Sequence, residues 1–176
     1  MNDDAFRDLS LFADFPEKER RLLEHLFVED VCRKGTVLIR EGERAASMKS
    51  ALFVLLDGQV QISRARPDVE PDASVFAFSA IIEPPELFGI VALATDMPST
   101  ATCTAFTDCR LARLNRPAFV QLHHEHGTLA ARFELLLARQ LVRDLRRLTT
   151  SLLSTFEHVQ DDPPRLDPLA LSIGRS

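Results

Sequence analysis

The rhythm of apolar and polar positions changes twice along the chain. After Asp14-Phe15-Pro16-Glu17, the residues Leu22, Leu23, Leu26 and Phe27 fall at helical spacing, and a proline followed by an acid is a helix-start signal. This predicts a short N-terminal helix packed on the β-barrel. From Val28 to Asn115 the rhythm shortens to β-type runs broken by Gly, Pro and Asp, the pattern of an all-β barrel or sandwich. Lys34-Gly35 separates Val28–Arg33 from Thr36–Arg40, and Glu41-Gly42-Glu43 closes the second run. Asp57-Gly58 joins Leu52–Leu56 to Gln59–Ser63, where it fits a type I′ hairpin turn. In Thr100–Phe106 the residues Ala101, Cys103 and Ala105 alternate with Thr100, Thr102 and Thr104, which predicts a half-buried strand. Arg66–Asp72, with prolines and acids, reads as an exposed loop.

Beyond the last strand the period returns to helical. Asn115-Arg116-Pro117 opens a short helix that ends near His126-Gly127. From Thr128 to about His158 there is no Gly or Pro, so about 30 helical residues extend on the order of 45 Å. Leu141, Leu145, Leu148, Leu152 and Val159 recur mostly at 4-3-4 intervals, the narrow seam of a coiled coil, and predict a homodimer through this helix, the alternative being a seam packed on the chain's own barrel. Phe133, Leu136 and Leu137 lie off the seam and are placed to face the β-domain. Gln160-Asp161-Asp162-Pro163-Pro164 breaks the helix. The tail beyond it carries Leu166, Leu169, Leu171 and Ile173, enough apolar surface to act as an internal ligand. The resulting division is 1–27 (N-terminal helical segment), 28–126 (β-barrel with a short helix), 127–159 (long helix) and 160–176 (tail).

Composition narrows the class. With 176 residues, 45% hydrophobic and 27% charged, the chain fits one globular domain plus an extension. No apolar run approaches the roughly 20 residues needed to span a bilayer, and Met1-Asn2-Asp3-Asp4 is acidic where a signal peptide is basic. A cytoplasmic protein without a membrane partner is expected. A net charge of −5 argues against nucleic acid as the main partner. Fewer than twenty residues follow His158, too few for a recognition helix, so no DNA contact is expected. Cys32, Cys103 and Cys109 are odd in number and lack C-x-x-C spacing, which reads as small hydrophobes rather than a disulfide framework or zinc site.

Catalytic chemistry has little to stand on. A metal-binding barrel enzyme needs His and Glu on its strands, yet His25, His123, His124, His126 and His158 all fall in or beside helical segments. His123-His124-Glu125-His126 at a helix end reads as a solvated turn, and no Ser/His/Asp or Cys/His grouping is evident. Arg132, Arg139, Arg143, Arg146 and Arg147, interrupted by Glu134 and Asp144, read as a solvated helix face. No enzyme activity, metal or cofactor is expected.

Three blocks in order carry a resemblance. They are Lys34-Gly35-Thr36-Val37-Leu38-Ile39-Arg40-Glu41-Gly42-Glu43, then Leu52-Phe53-Val54-Leu55-Leu56-Asp57-Gly58-Gln59-Val60, then Leu87-Phe88-Gly89-Ile90-Val91-Ala92-Leu93 followed by Pro98-Ser99-Thr100-Ala101-Thr102. From Leu11 to Phe156 the chain resembles the cyclic-nucleotide-binding domain family, which includes catabolite activator proteins and protein kinase A regulatory subunits. The resemblance implies an eight-stranded antiparallel jelly-roll β-barrel, mainly β, flanked by an N-terminal helix, a short helix and a long C-terminal helix. It also implies that Phe88, Gly89, Ile90, Val91, Ala92, Leu93, Ser99, Thr100 and Ala101 line the ligand pocket as its phosphate-binding cassette.

The cassette departs from the family at two positions. Members that bind cyclic nucleotides usually carry Glu after Phe-Gly, for the ribose hydroxyl, and Arg after Pro, for the cyclic phosphate; Ile90 and Ser99 stand there. Losing one side of a buried Arg–phosphate pair costs about 2–5 kcal/mol, and a hydrogen bond to a charged group is worth about 1.5–3 kcal/mol. The backbone amides of Gly89 to Ala92 and the Thr100 hydroxyl could attract an anion, without the missing full charge. The expectation is a non-enzymatic regulatory module, degenerate for cyclic AMP and cyclic GMP, that acts through contacts with a protein partner. The alternative is a sensor of a different small molecule, its pocket made more apolar by Ile90. Restoring Glu at 90 together with Arg at 99 is expected to recover nucleotide affinity.

Overall fold

The computed structural model describes residues 9–43, 51–65, 76–95 and 97–161, with the side chains of residues 65 and 76–78 and those beyond Thr150 outside the description. The exposed loop expected at Arg66–Asp72 and the tail leucines therefore lie outside the described residues. Two compact units divide the chain, Met1–Leu137 and Ala138–Ser176.

In the first unit a single 3₁₀ turn, Ser10–Phe12, precedes helix α1, Glu17–Leu26. Pro16 caps α1, Glu17 and Glu19 sit in its first turn, where the helix dipole favours anions, and Leu23 is fully buried. Eight strands follow among the described residues: β1 Val28–Cys32, β2 Val37–Ile39, β3 Ala51–Asp57, β4 Val60–Ala65, β5 Phe76–Ile82, β6 Glu86–Phe88, β7 Thr102–Ala105 and β8 Cys109–Asn115. They form two four-stranded antiparallel sheets, ordered β1-β8-β3-β6 and β2-β7-β4-β5. That alternation of strands between sheets is the jelly-roll arrangement that the family resemblance implies. The short helix α2, Ile90–Ala94, lies between β6 and β7; α3, Arg116–Glu125, and α4, Gly127–Asp161, follow β8.

Helix α3 starts where Asn115-Arg116-Pro117 predicts. The Asn115 side chain accepts from the Ala118 amide, and Pro117 costs nothing in a first turn that has no acceptor for its amide. The expected turn at Asp57-Gly58 needs correction. β3 pairs with β6 and β8 while β4 pairs with β5 and β7, so Asp57-Gly58 crosses between sheets and is no hairpin. A type I′ turn also needs positive φ at both central residues, and only Gly58 (φ 88°) has it. Gly58 is fixed by proximity as well: a Cβ there would lie 2.3 Å from the Asp108 carbonyl oxygen and 2.9 Å from Cys109 Sγ.

The core has two parts on opposite faces of the β1-β8-β3-β6 sheet. Even-numbered residues of β3, Leu52 and Val54, join Phe12, Leu23, Phe27, Leu114, Leu122, Leu129 and Phe133 on the helical side. Odd-numbered residues, Ala51, Phe53 and Leu55, join Val60, Phe88, Cys103, Ala105, Cys109 and Leu111 in the space between the sheets. This is the strand period of two at work, and it explains why β3 reads as continuously apolar: both faces are covered. On the helical side Phe27 meets Phe12 and Phe133 edge-to-face, at centroid distances of 6.4 and 6.2 Å. Phe133, Leu136 and Leu137 are buried in that cluster, as their position off the leucine seam predicts. No helix among the described residues is long and apolar enough to cross a membrane.

Candidate functional site

The segment that resembles a phosphate-binding cassette is held by backbone geometry first. Phe88 ends β6 in register with Phe53 of β3, and the two rings stack with centroids 5.1 Å apart and planes 13° from parallel. Gly89 follows with φ 84°, a left-handed conformation that turns the chain into α2. A Cβ at Gly89 would stand 2.5 Å from the Ala51 carbonyl oxygen and 3.1 Å from Ile39 Cδ1, so both conformation and space require glycine. Helix α2 closes at Thr95, whose hydroxyl and amide both donate to the Val91 carbonyl.

The second half of the segment is clamped to the turn after β2. The Gly42 amide donates to the Ser99 carbonyl at 2.8 Å, and the Ser99 amide donates to the Glu43 carbonyl at 3.1 Å. The Glu41 amide donates to Thr102 Oγ1 at 3.0 Å, while the Glu41 carboxylate pairs with Arg64 of β4 at 3.4 Å. The glycine turn and the cassette, separate blocks in the sequence, are thus one structural unit.

The side chains divide between the two faces of the sheet. Phe88 points between the sheets, where Phe53, Cys103, Leu38, Ile39, Ile62 and Ile82 make the surroundings apolar. Ile90 and Leu93 instead belong to the helical-side cluster, at 5% and 1% exposure. Ala92 is also buried, Val91, Ser99 and Ala101 are half-buried, and Thr100 is exposed. The placement of Ile90 bears on its replacement by Glu, which would set a carboxylate among leucines and phenylalanines of the helical cluster. Such a repair carries a stability cost that the sequence does not reveal.

Sequence reasoning passes over Arg64. β4 alternates, with Val60 and Ile62 in the inter-sheet cluster, and Arg64 is the next residue of that parity. Its neighbour Ser63 pairs with Thr102, which brings the guanidinium to the end of the sheets where the clamped segment lies. The Arg64 side chain is 63% exposed, so its pair with Glu41 lies at the surface, and a strand ended at Ser63 stops one residue too early to include it.

The remaining polar groups serve helices. His123 Nδ1 hydrogen-bonds the Phe119 carbonyl at 2.9 Å, and its Nε2 meets the Glu134 carboxylate at 2.8 Å, tying α3 to α4. The Phe119 carbonyl first, then Glu134, hold the His123 pKa above the ordinary imidazole value. No group of three or more His, Cys, Asp or Glu side chains placed to hold a metal ion occurs among the described residues. In the second unit Leu141, Leu145 and Leu148 are 44, 65 and 41% exposed, and the Leu152 side chain lies outside the description.

Comparison with known proteins agrees with this architecture. Residues 29–126 match the family model of the cyclic nucleotide-binding domain. A cAMP-dependent protein kinase regulatory subunit from Yarrowia lipolytica is 27% identical over 122 residues, 69% of this chain but 29% of that protein. The chain therefore spans less than a third of that curated relative. Among solved structures, a cyclic nucleotide-binding domain from Methylobacillus flagellatus superposes with a TM-score of 0.73 at 22% identity, covering 86% of this chain and 80% of that one. The Thermus thermophilus catabolite activator protein gives 0.63 at 26% identity, covering 82% and 62%.

Proposed function

The chain belongs to the cyclic nucleotide-binding domain family, and from that premise we propose that it is a non-enzymatic regulatory module whose pocket has lost cyclic AMP and cyclic GMP, and which acts through contacts with a protein partner. The observation that carries this reading is the pair of residues at 90 and 99. An isoleucine buried on the helical side of the sheet and a serine stand where nucleotide-binding members carry the ribose-binding and phosphate-binding charges. The stacked Phe53 and Phe88 rings support the same reading, because they occupy part of the inter-sheet space with side chains of the protein itself.

The module works as a homodimer joined by the Leu141, Leu145, Leu148 and Leu152 seam. Three of these leucines are exposed on the single chain, an apolar stripe that a second copy would cover. In the same helical repeat Arg139, Arg143, Arg146 and Arg147 fall on the side opposite the leucines, so pairing two seams sets no arginine against another.

A second reading, a sensor for a different small molecule, is favoured by the Arg64–Glu41 pair. An apolar inter-sheet space bordered by a solvent-exposed guanidinium suits a ligand with an apolar body and an anionic group, which would replace Glu41 on Arg64. Mass spectrometry of material released when the purified protein is denatured separates the readings. The principal one expects no stoichiometric small molecule; a cyclic nucleotide released in equal amount to protein contradicts it, and an anionic amphiphile establishes the second.

A further inference from the structure

Two of the three cysteines face one another across neighbouring strands. Cys32 ends β1 and Cys109 begins β8, and they are direct partners in the antiparallel register. Direct partners have Cα atoms about 4.5–5.5 Å apart, inside the roughly 4.4–6.8 Å that disulfides span. Their side chains share a face: Cys109 lies in the inter-sheet cluster and Cys32 packs against it. Both are free thiols, Cys32 half-buried and Cys109 buried at 2% exposure. Cys103 is buried elsewhere in that cluster, on β7 of the other sheet, and has no such partner in register.

We propose that Cys32 and Cys109 form a cross-strand dithiol that a peroxide converts to an intramolecular disulfide. Accessibility orders the steps. The half-exposed Cys32 attacks the peroxide: an S–O bond forms, the O–O bond breaks, and one oxygen leaves as water once protonated. The resulting sulfenic acid at Cys32 is attacked by the Cys109 sulfur; the S–S bond forms, the S–O bond breaks, and a second water leaves. The two thiols give up two electrons and two protons in all, and the peroxide is reduced to two waters.

The surroundings accommodate the product. The Cys109 thiol donates to the Gln59 carbonyl at 3.2 Å and the Thr107 carbonyl at 3.3 Å, and oxidation removes that donor. The Gln59 carbonyl keeps the Phe106 amide at 2.8 Å and the Thr107 amide at 3.3 Å, so it is not left unpaired. On the other side, the Lys34 amide donates to Asp108 Oδ1 at 2.8 Å and the Gly35 amide to the Ala105 carbonyl at 2.8 Å. These bonds hold the turn after Cys32 against the segment before Cys109 and so keep the two cysteines in register. The staple would fasten β1, the edge of its sheet, to β8. Burial first, then the neighbouring Cys109 thiol and the Asp30 carboxylate, push the Cys32 thiol up to about 11. The reaction is therefore slow at neutral pH and accelerates as pH rises.

The test is treatment of the purified full chain with hydrogen peroxide, followed by denaturation, alkylation and peptide mass mapping, in parallel with Cys32→Ser and Cys103→Ala. The expected product is lighter by two hydrogens, yields a Cys32–Cys109 linked peptide, leaves Cys103 alkylated, and reverts with dithiothreitol. It should melt about 5 °C or more above the reduced form, because the disulfide closes a long loop. Cys103→Ala should cross-link normally, and Cys32→Ser should not. The proposal is overturned if Cys32 accumulates sulfinic acid while Cys109 stays alkylatable, if the link involves Cys103 or a second chain, or if Cys32→Ser loses the same two hydrogens. Since Cys32 is half-buried at a strand end, its serine variant retains the fold against which these outcomes are read.

Discussion

At the scale of single residues, the cassette is constrained by one glycine and one isoleucine. Gly89→Ala combines a left-handed backbone with a Cβ 2.5 Å from the Ala51 carbonyl oxygen. It should lower unfolding stability by about 2–4 kcal/mol in a denaturant titration; a loss below about 0.5 kcal/mol would show that the turn is not built this way. Ile90→Glu sets a carboxylate in the helical cluster and should cost about 2–4 kcal/mol. Ser99→Arg, at a half-buried position held through its backbone, should stay within about 1 kcal/mol of the parent. Equal costs for the two would contradict the assignment of Ile90 to the helical side. That Ile90 and Ser99 are uncharged is legible in the sequence, since charge is a property of the residue itself. Which face of the sheet Ile90 meets is not, because α2 is only five residues long and its rotation is set by Gly89.

Among the elements, the strands and helices are legible wherever the apolar period or a cap is strong. Asn115-Pro117 fixes the start of α3, and the alternation of Cys103 and Ala105 with Thr102 and Thr104 survives as β7. Asp57-Gly58 misleads because a local turn signal cannot say whether the chain doubles back or crosses to another sheet. That choice is made by long-range pairing of β3 with β8 and of β4 with β7. The α3–α4 junction offers a pH test. His123 is bonded to Phe119 and Glu134 and its folded-state pKa is raised, so the stability it contributes is fully present below the unfolded imidazole value near 6.5. It is lost as pH rises through the folded value. The melting-temperature difference between wild type and His123→Ala should be larger at pH 5.5 than at pH 8; a difference that grows with pH would contradict the pairing. The group is partly exposed, so the effect should also shrink in high salt.

For the whole molecule, light scattering after gel filtration should give twice 19.7 kDa, and Leu148→Glu should give the monomer with unchanged β-sheet circular dichroism. A monomeric wild type at tens of micromolar would remove the dimer from the account. The leucine spacing is readable in the sequence alone, whereas spacing does not say what packs against those leucines. The central claim concerns the pocket, and calorimetric titration with cyclic AMP and cyclic GMP tests it most directly. A micromolar ligand has about 8.2 kcal/mol of standard binding free energy, and losing about 4–8 kcal/mol with the ribose and phosphate charges leaves millimolar affinity or none. The unmodified chain should therefore show no saturable heat at micromolar concentrations of either nucleotide; saturable micromolar binding with a stoichiometry of one per chain would contradict the account.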